Sequence, residues 1–112
     1  MAIIVHRIRL HDGVAPGRFE RWVREVDYAA CPDLPSVLAF GVQRVVDASA
    51  GAPGAEDPGY FEIIEVSSRE EFERDMKSSR FQQLVVQFGQ MAKVVDEVTG
   101  ERIGDGYRAQ RR

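Results

Sequence analysis

Residues 2–10 alternate with a period of two. Ala2, Ile4, His6, Ile8 and Leu10 share one face, and Ile3, Val5, Arg7 and Arg9 share the other. Both faces begin apolar, which predicts a central strand covered on both sides. His11-Asp12-Gly13 breaks the alternation, and Gly13 suits a turn. From Pro16 the period lengthens to that of a helix, because proline is tolerated in a first turn that has no use for its missing N–H. Phe19, Trp22, Val23, Val26 and Ala30 then form one apolar stripe, and Pro32 and Pro35 stop the helix. Asp27 falls inside that stripe or at its edge, where a carboxylate is out of place.

The segment Ser36–Val46 alternates large and small side chains with β-branched residues and predicts a second strand. Residues 47–59 are rich in Gly, Ala, Pro and Asp and predict an exposed hairpin loop. A third strand follows over 60–67. Ser67 with Glu70 and Ser68 with Glu71 both match the capping-box pattern that starts a helix. Phe72 and Met76 give this helix an apolar edge. A second helical piece carries Phe81, Leu84, Val85 and Phe88, with Gly89 as its predicted end and a last strand over 92–103. The order β-α-β-β-α-β, with the last helix in two parts, predicts an α+β, ferredoxin-like fold: a four-stranded antiparallel sheet with helices on one face. Residues 1–106 read as one domain and 107–112 as a basic, solvated C-terminal tail. The second sheet face, with Ile3 and Val5, is left bare, which predicts a homodimer packed sheet face to sheet face.

Composition narrows the function classes. The 112 residues are 44% hydrophobic and 29% charged with a net charge of -3, the balance of an ordinary globule with one core. A net negative chain is a poor partner for nucleic acid or an anionic membrane, and no apolar run approaches a membrane span. The single cysteine, Cys31, has no internal disulfide partner, which fits a cytoplasmic location. The first ten residues are too charged after Val5 for a secretory signal. There is no phosphate loop, dinucleotide fingerprint or metal-ligand spacing, and neither histidine lies on a helix as a proximal haem ligand usually does. No cofactor is expected.

The split helix "SREEFERDMKSSRFQQLVVQFGQM" before the last strand, together with the element order, resembles the dimeric α/β barrel superfamily. More narrowly, "FERWVREVDYAACPDLPSVLAFGVQRV" is similar to the RedY-like (HapK-like) proteins of prodigiosin-type and related bacterial alkaloid clusters, and the likeness spans residues 2–104. The superfamily resemblance implies a pocket between helices and sheet that binds small, often aromatic molecules. The narrower resemblance implies work on indole- or pyrrole-containing intermediates.

Within that frame His6 is the first candidate, the one polar member of its strand face. It reads as a general acid or base, or else as a core histidine bonded to a carbonyl. Asp27 reads as its orienting partner, as a base in its own right, or as a stripe-edge residue meeting solvent, Arg24 or Arg44. Tyr28 and Trp22 are candidates for holding an oxyanion and for walling an aromatic substrate. Asp27 and Tyr28 lie about 100° apart on a helix, so only one can point squarely into the pocket, and Asp27 is the expected one. Phe40 and Phe88 complete the substrate-binding set with Arg44 and Glu62, which lie in apolar strands and could pair with each other. Glu62 and Glu65 are three apart and so face opposite sides. Taken with the resemblance, which implies a tailoring role, these residues lead to the expectation of a cofactor-independent enzyme with His6 and Asp27 catalytic. A cofactor-free aromatic monooxygenase and a non-catalytic carrier of a labile aromatic intermediate are the alternatives.

Overall fold

The alternation of residues 2–10 becomes β1 (Ala2–Leu10), an inner strand of a four-stranded sheet with the order β2-β3-β1-β4. The computed structural model describes residues 1–48 and 59–110, so most of the predicted hairpin loop and the last two residues of the tail lie outside the described residues. β3 (Tyr60–Val66) lies antiparallel between β1 and β2 (Val37–Arg44), which makes β1 and β2 parallel, and β4 (Ala92–Gly100) pairs antiparallel with the other side of β1. This is the ferredoxin-like arrangement. Between β1 and β2 run α1 (Pro16–Trp22), a π-helical stretch (Val23–Asp27), α2 (Tyr28–Ala30) and a 3-10 turn (Cys31–Asp33). Between β3 and β4 run α3 (Arg69–Met76) and α4 (Ser79–Met91). Among the described residues no helix is long and apolar enough to cross a membrane.

Two serines account for the divided second helix. Ser68 accepts a hydrogen bond from the Glu71 N–H at 3.1 Å and starts α3, and Ser78 accepts from the Phe81 N–H at 3.2 Å and starts α4. Of the two predicted capping serines only the second, Ser68, becomes the N-cap, with its hydroxyl also donating to Glu71 Oε1 at 3.3 Å. Ser67 spends its backbone N–H on the Ser36 carbonyl at 2.9 Å, at the end of the sheet. Gly89 does not end α4, which continues to Met91. His11 explains the extension: its Nε2 lies 2.8 Å from the Gly89 carbonyl, and its N–H donates to the Met91 carbonyl at 2.8 Å. These bonds satisfy two carbonyls of the final turn, those of Gly89 and Met91, in place of a glycine cap.

The helix-covered face of the sheet is apolar at both ends and polar in the middle. At one end Ile8 and Tyr60 pack with Phe19, Val23, Met91 and Ala92. At the other Ala2, Ile4, Ile64 and Val66 pack with Phe72. Between them stand His6 on β1 and Glu62 opposite it on β3. Phe19 anchors the first cluster, with its ring 4.8 Å from that of Tyr60. A third cluster of Ala30, Leu34 and Leu84 joins α2 to α4 above the sheet. On the other face, Ile63 and Val98 remain exposed within the single chain, with Ile3 and Val5 half-covered beside them.

Candidate active site

The apolar clusters at the two ends of the sheet leave a cavity of about 360 Å³ above its middle, between sheet and helices. Ile4, His6, Phe40, Glu62 and Ile64 form its floor, α3 and α4 supply Phe72, Met76, Phe81, Leu84 and Phe88, and Trp22 and Asp27 close it from the first helical run. The walls are therefore apolar and aromatic, and the polar groups converge on one spot, as in most small-molecule sites.

That spot is His6. Its Nδ1 lies 2.6 Å from Glu62 Oε1 and its Nε2 lies 2.6 Å from Glu97 Oε2. Carboxylates only accept hydrogen bonds, so two such partners favour the ring form in which both nitrogens donate, the imidazolium. The hydrogen bond to Glu62 raises the histidine pKa above its ordinary value; burial opposes this, and the bond to Glu97 reinforces it. The two carboxylates differ in exposure: the Glu62 side chain is 12% exposed and that of Glu97 is 54%.

Asp27 occupies the last position of the π-helical stretch, where the Tyr28 N–H donates to the Val23 carbonyl five residues back. Such a turn winds more slowly than an α-helix and changes which residues face inward, and these turns occur frequently at functional sites. Burial, with the nearby negative charge of Glu62 adding to it, pushes the Asp27 carboxyl up to about 7. Asp27 therefore titrates near neutrality, close beside a histidine whose own pKa is raised. The Cys31 thiol donates to the Asp27 backbone carbonyl at 3.6 Å, and burial raises its pKa, which is the wrong direction for a nucleophile.

Of the residues singled out from the sequence, His6, Asp27, Trp22, Phe40, Glu62 and Phe88 all line this cavity. Trp22 is fixed by its Nε1–H, which donates to Gln87 Oε1 at 2.8 Å. Three expectations need correction. Asp27 does not orient His6, since both imidazole nitrogens are held by glutamates. Tyr28 lies outside the cavity: its hydroxyl accepts the Val42 N–H at 3.0 Å and its ring meets Phe40 edge-on at 5.6 Å. Arg44 also lies outside and does not pair with Glu62. It holds Glu20 through two nitrogens, with Nε at 2.9 Å, while the Tyr60 hydroxyl donates to the same carboxylate at 2.7 Å. Arg44, with Tyr60, holds the Glu20 carboxyl down at about 2; burial, with Glu20 adding to it, drives Tyr60 up to about 12. This cluster braces α1 against the sheet edge.

Glu97 was not foreseen, for a definite reason. Ala92 and Val94 pair with Leu10 and Ile8 on the helix-covered face, so strict alternation would bring Asp96 to that face next. The register shifts between Arg7 and Ile8, leaving Val95 as an extra residue, and Glu97 then pairs with His6. A β-bulge re-aims the side chain. The two adjacent acids Asp96 and Glu97 after a valine pair were the only available hint in the sequence.

Among known proteins, the sequence model of the REDY-like protein HapK matches residues 2–103. The crystal structure of HapK from Hahella chejuensis is 45% identical, covering 98% of this chain and 100% of that one with a TM-score of 0.84. SnoaB from Streptomyces nogalater, described as a cofactor-independent oxygenase, is 16% identical over 94% of this chain and 97% of its own, with a TM-score of 0.71. A dimeric ferredoxin-like protein of unknown function from Thermobifida fusca is 13% identical over 88% of this chain and 86% of its own, with a TM-score of 0.64. The last two share the fold. No curated protein sequence matches the chain.

Proposed function

The chain belongs to the family of the REDY-like protein HapK, and from that premise we propose that it is a cofactor-independent tailoring enzyme of natural-product biosynthesis. Its substrate is an indole- or pyrrole-containing intermediate, and the reaction is a cyclisation, isomerisation or hydrolytic rearrangement driven by acid–base catalysis. The observation that carries this reading is the pairing of an apolar, aromatic-walled cavity with a titrating carboxyl, Asp27, and a fixed imidazolium, His6.

The roles follow from the proton positions. Asp27, poised near neutral pH, accepts a proton from the substrate and returns it elsewhere, since an acid–base group works best with a pKa near the working pH. His6, through the Nε2–H that the exposed Glu97 holds in the resting site, presents a charged donor to oxygen that becomes negative in the transition state. Glu62 is a positioning residue that holds the imidazolium ring in one orientation. Trp22, Phe40 and Phe88 hold the aromatic substrate in a reactive conformer and keep water from diverting it. Two copies packed through the exposed sheet faces would complete the assembly, supported by the apolar residues Ile63 and Val98 on that face.

A second reading has the fold likeness to a cofactor-independent oxygenase behind it: Asp27 deprotonates an electron-rich aromatic, which then reacts with oxygen. Turnover assays with indole- and pyrrole-containing biosynthetic intermediates, followed by mass spectrometry with and without oxygen, separate the two. The expected result is conversion without oxygen, reduced about a hundredfold in Asp27→Asn. Full conversion by folded Asp27→Asn overturns the assignment of Asp27. An absolute oxygen requirement favours the oxygenase, and saturable binding without conversion makes the protein a carrier.

A further inference from the structure

The two carboxylates that clamp His6 are not equivalent. Glu62 stands on an inner strand, is buried, and sits directly across from His6 in the β1–β3 register. Glu97 stands on an edge strand just past a bulge, with more than half of its side chain in solvent. Removing Glu62 from His6 would strand a buried charge. Glu97 can turn outward and regain water at little cost, because its side chain already stands largely in solvent.

We propose that the Nε2–H of His6 is an anion-receiving position in which Glu97 is an exchangeable occupant, displaced by a carboxylate or other anionic oxygen on an aromatic substrate. The proposal rests on the reading of this cavity as the substrate site and adds to it a substrate chemistry: an aromatic ring bearing an acidic or enolisable oxygen. Charge bookkeeping favours the exchange. One carboxylate leaves as another arrives, so the balance of His6, Glu62, Asp27 and Arg69 around the cavity is unchanged. Arg69 lies on the same side, its Nη1 donating to the Thr99 hydroxyl at 3.0 Å, two positions along β4 from Glu97. An incoming anion therefore meets a second cation near the seat that Glu97 gives up. The aromatic walls would take the ring while His6 takes the oxygen.

Calorimetric titration of the purified protein with indole-2-carboxylate, and with indole-2-carboxamide as its uncharged counterpart, tests the exchange without requiring turnover. Glu97→Ala removes the internal competitor and should bind the carboxylate about tenfold more tightly than the natural chain, with the carboxamide unchanged. Glu97→Gln, which keeps an acceptor oxygen without the charge, should fall between. In the natural chain, the 15N resonance of His6 Nε2 should move on adding the carboxylate while that of Nδ1 stays in place. Unchanged or weaker carboxylate binding in Glu97→Ala overturns the proposal. So does an equal gain for the carboxamide, which would mean that the substitution merely made room, and so does failure of the carboxylate to bind any of the three proteins. These outcomes are independent of the Asp27→Asn turnover result, so the exchange and the catalytic reading can fail separately.

Discussion

Replacing Asp27 with asparagine should make the protein more stable, and only above acidic pH. The side chain keeps its shape and loses its charge. In the folded protein the Asp27 carboxyl is raised from an ordinary 3.8 to about 7. A rise of about three pH units corresponds to about 4 kcal/mol at 1.36 kcal/mol per unit. The sign follows from proton uptake: between pH 4 and 7 the folded state holds a proton that the unfolded state has released, so stability falls as pH rises through this window. Below pH 4 both states are protonated and the effect vanishes; above pH 7 it is fully developed. His6, whose pKa is also raised, loses stabilisation in the same direction as pH rises past its ordinary value. It is present in both proteins, so the difference between their curves isolates Asp27. Urea denaturation of both proteins at half-unit steps from pH 4 to 8.5 gives that difference directly. The expected curve starts near zero and climbs to as much as about 4 kcal/mol in favour of Asp27→Asn. A flat difference, or one favouring the natural chain at pH 8, would refute the argument that Asp27 is held in a poorly solvated cavity wall.

Three further outcomes follow from the packing. His6→Ala leaves Glu62 buried beside Asp27 without its cation and should destabilise by about 3 kcal/mol at pH 7, and adding Glu62→Gln should restore most of that loss in a urea-denaturation cycle. Ser68→Ala removes the cap that donates order to the start of α3 and should lower stability by about 1 kcal/mol, measured by thermal or urea unfolding, while Ser67→Ala, at a position that caps nothing, should not reproduce it. Arg44→Ala should leave binding of indole-2-carboxylate unchanged by calorimetry, because Arg44 braces Glu20 and Tyr60 outside the cavity.

Strand alternation alone placed His6 on the helix-covered face, and helical spacing alone put Asp27 among the apolar positions that look back at it. Those two displaced polar residues were candidates because a polar side chain on an apolar face needs a partner or a function, while the pocket itself was implied only by the family resemblance. The partners were harder to read. Glu62 is visible as a charge in an apolar strand, but Arg44, one partner the sequence allows it, instead reaches Glu20 on α1. Glu97 was hidden by a bulge that breaks period-two counting, and periodicity has no means of announcing an inserted residue. The π-helical turn at Asp27 is equally silent in the sequence, since it differs from an α-helix only in hydrogen bonds registered five rather than four residues back. Gly89 misled as a stop signal because His11, 78 positions away, caps the helix end in its place. Local chemistry identified the elements and their faces. Long-range contacts decided which charge met which.

The near-neutral titration of Asp27 beside a charged His6 carries the functional reading. A single NMR titration between pH 5 and 9, following the Asp27 side-chain 13C carboxyl and both 15N ring positions of His6 in one sample, measures it. The account predicts an Asp27 midpoint near 7, with His6 doubly protonated at that pH. An Asp27 carboxyl already ionised at pH 5, with His6 losing its proton near its ordinary value, would contradict it.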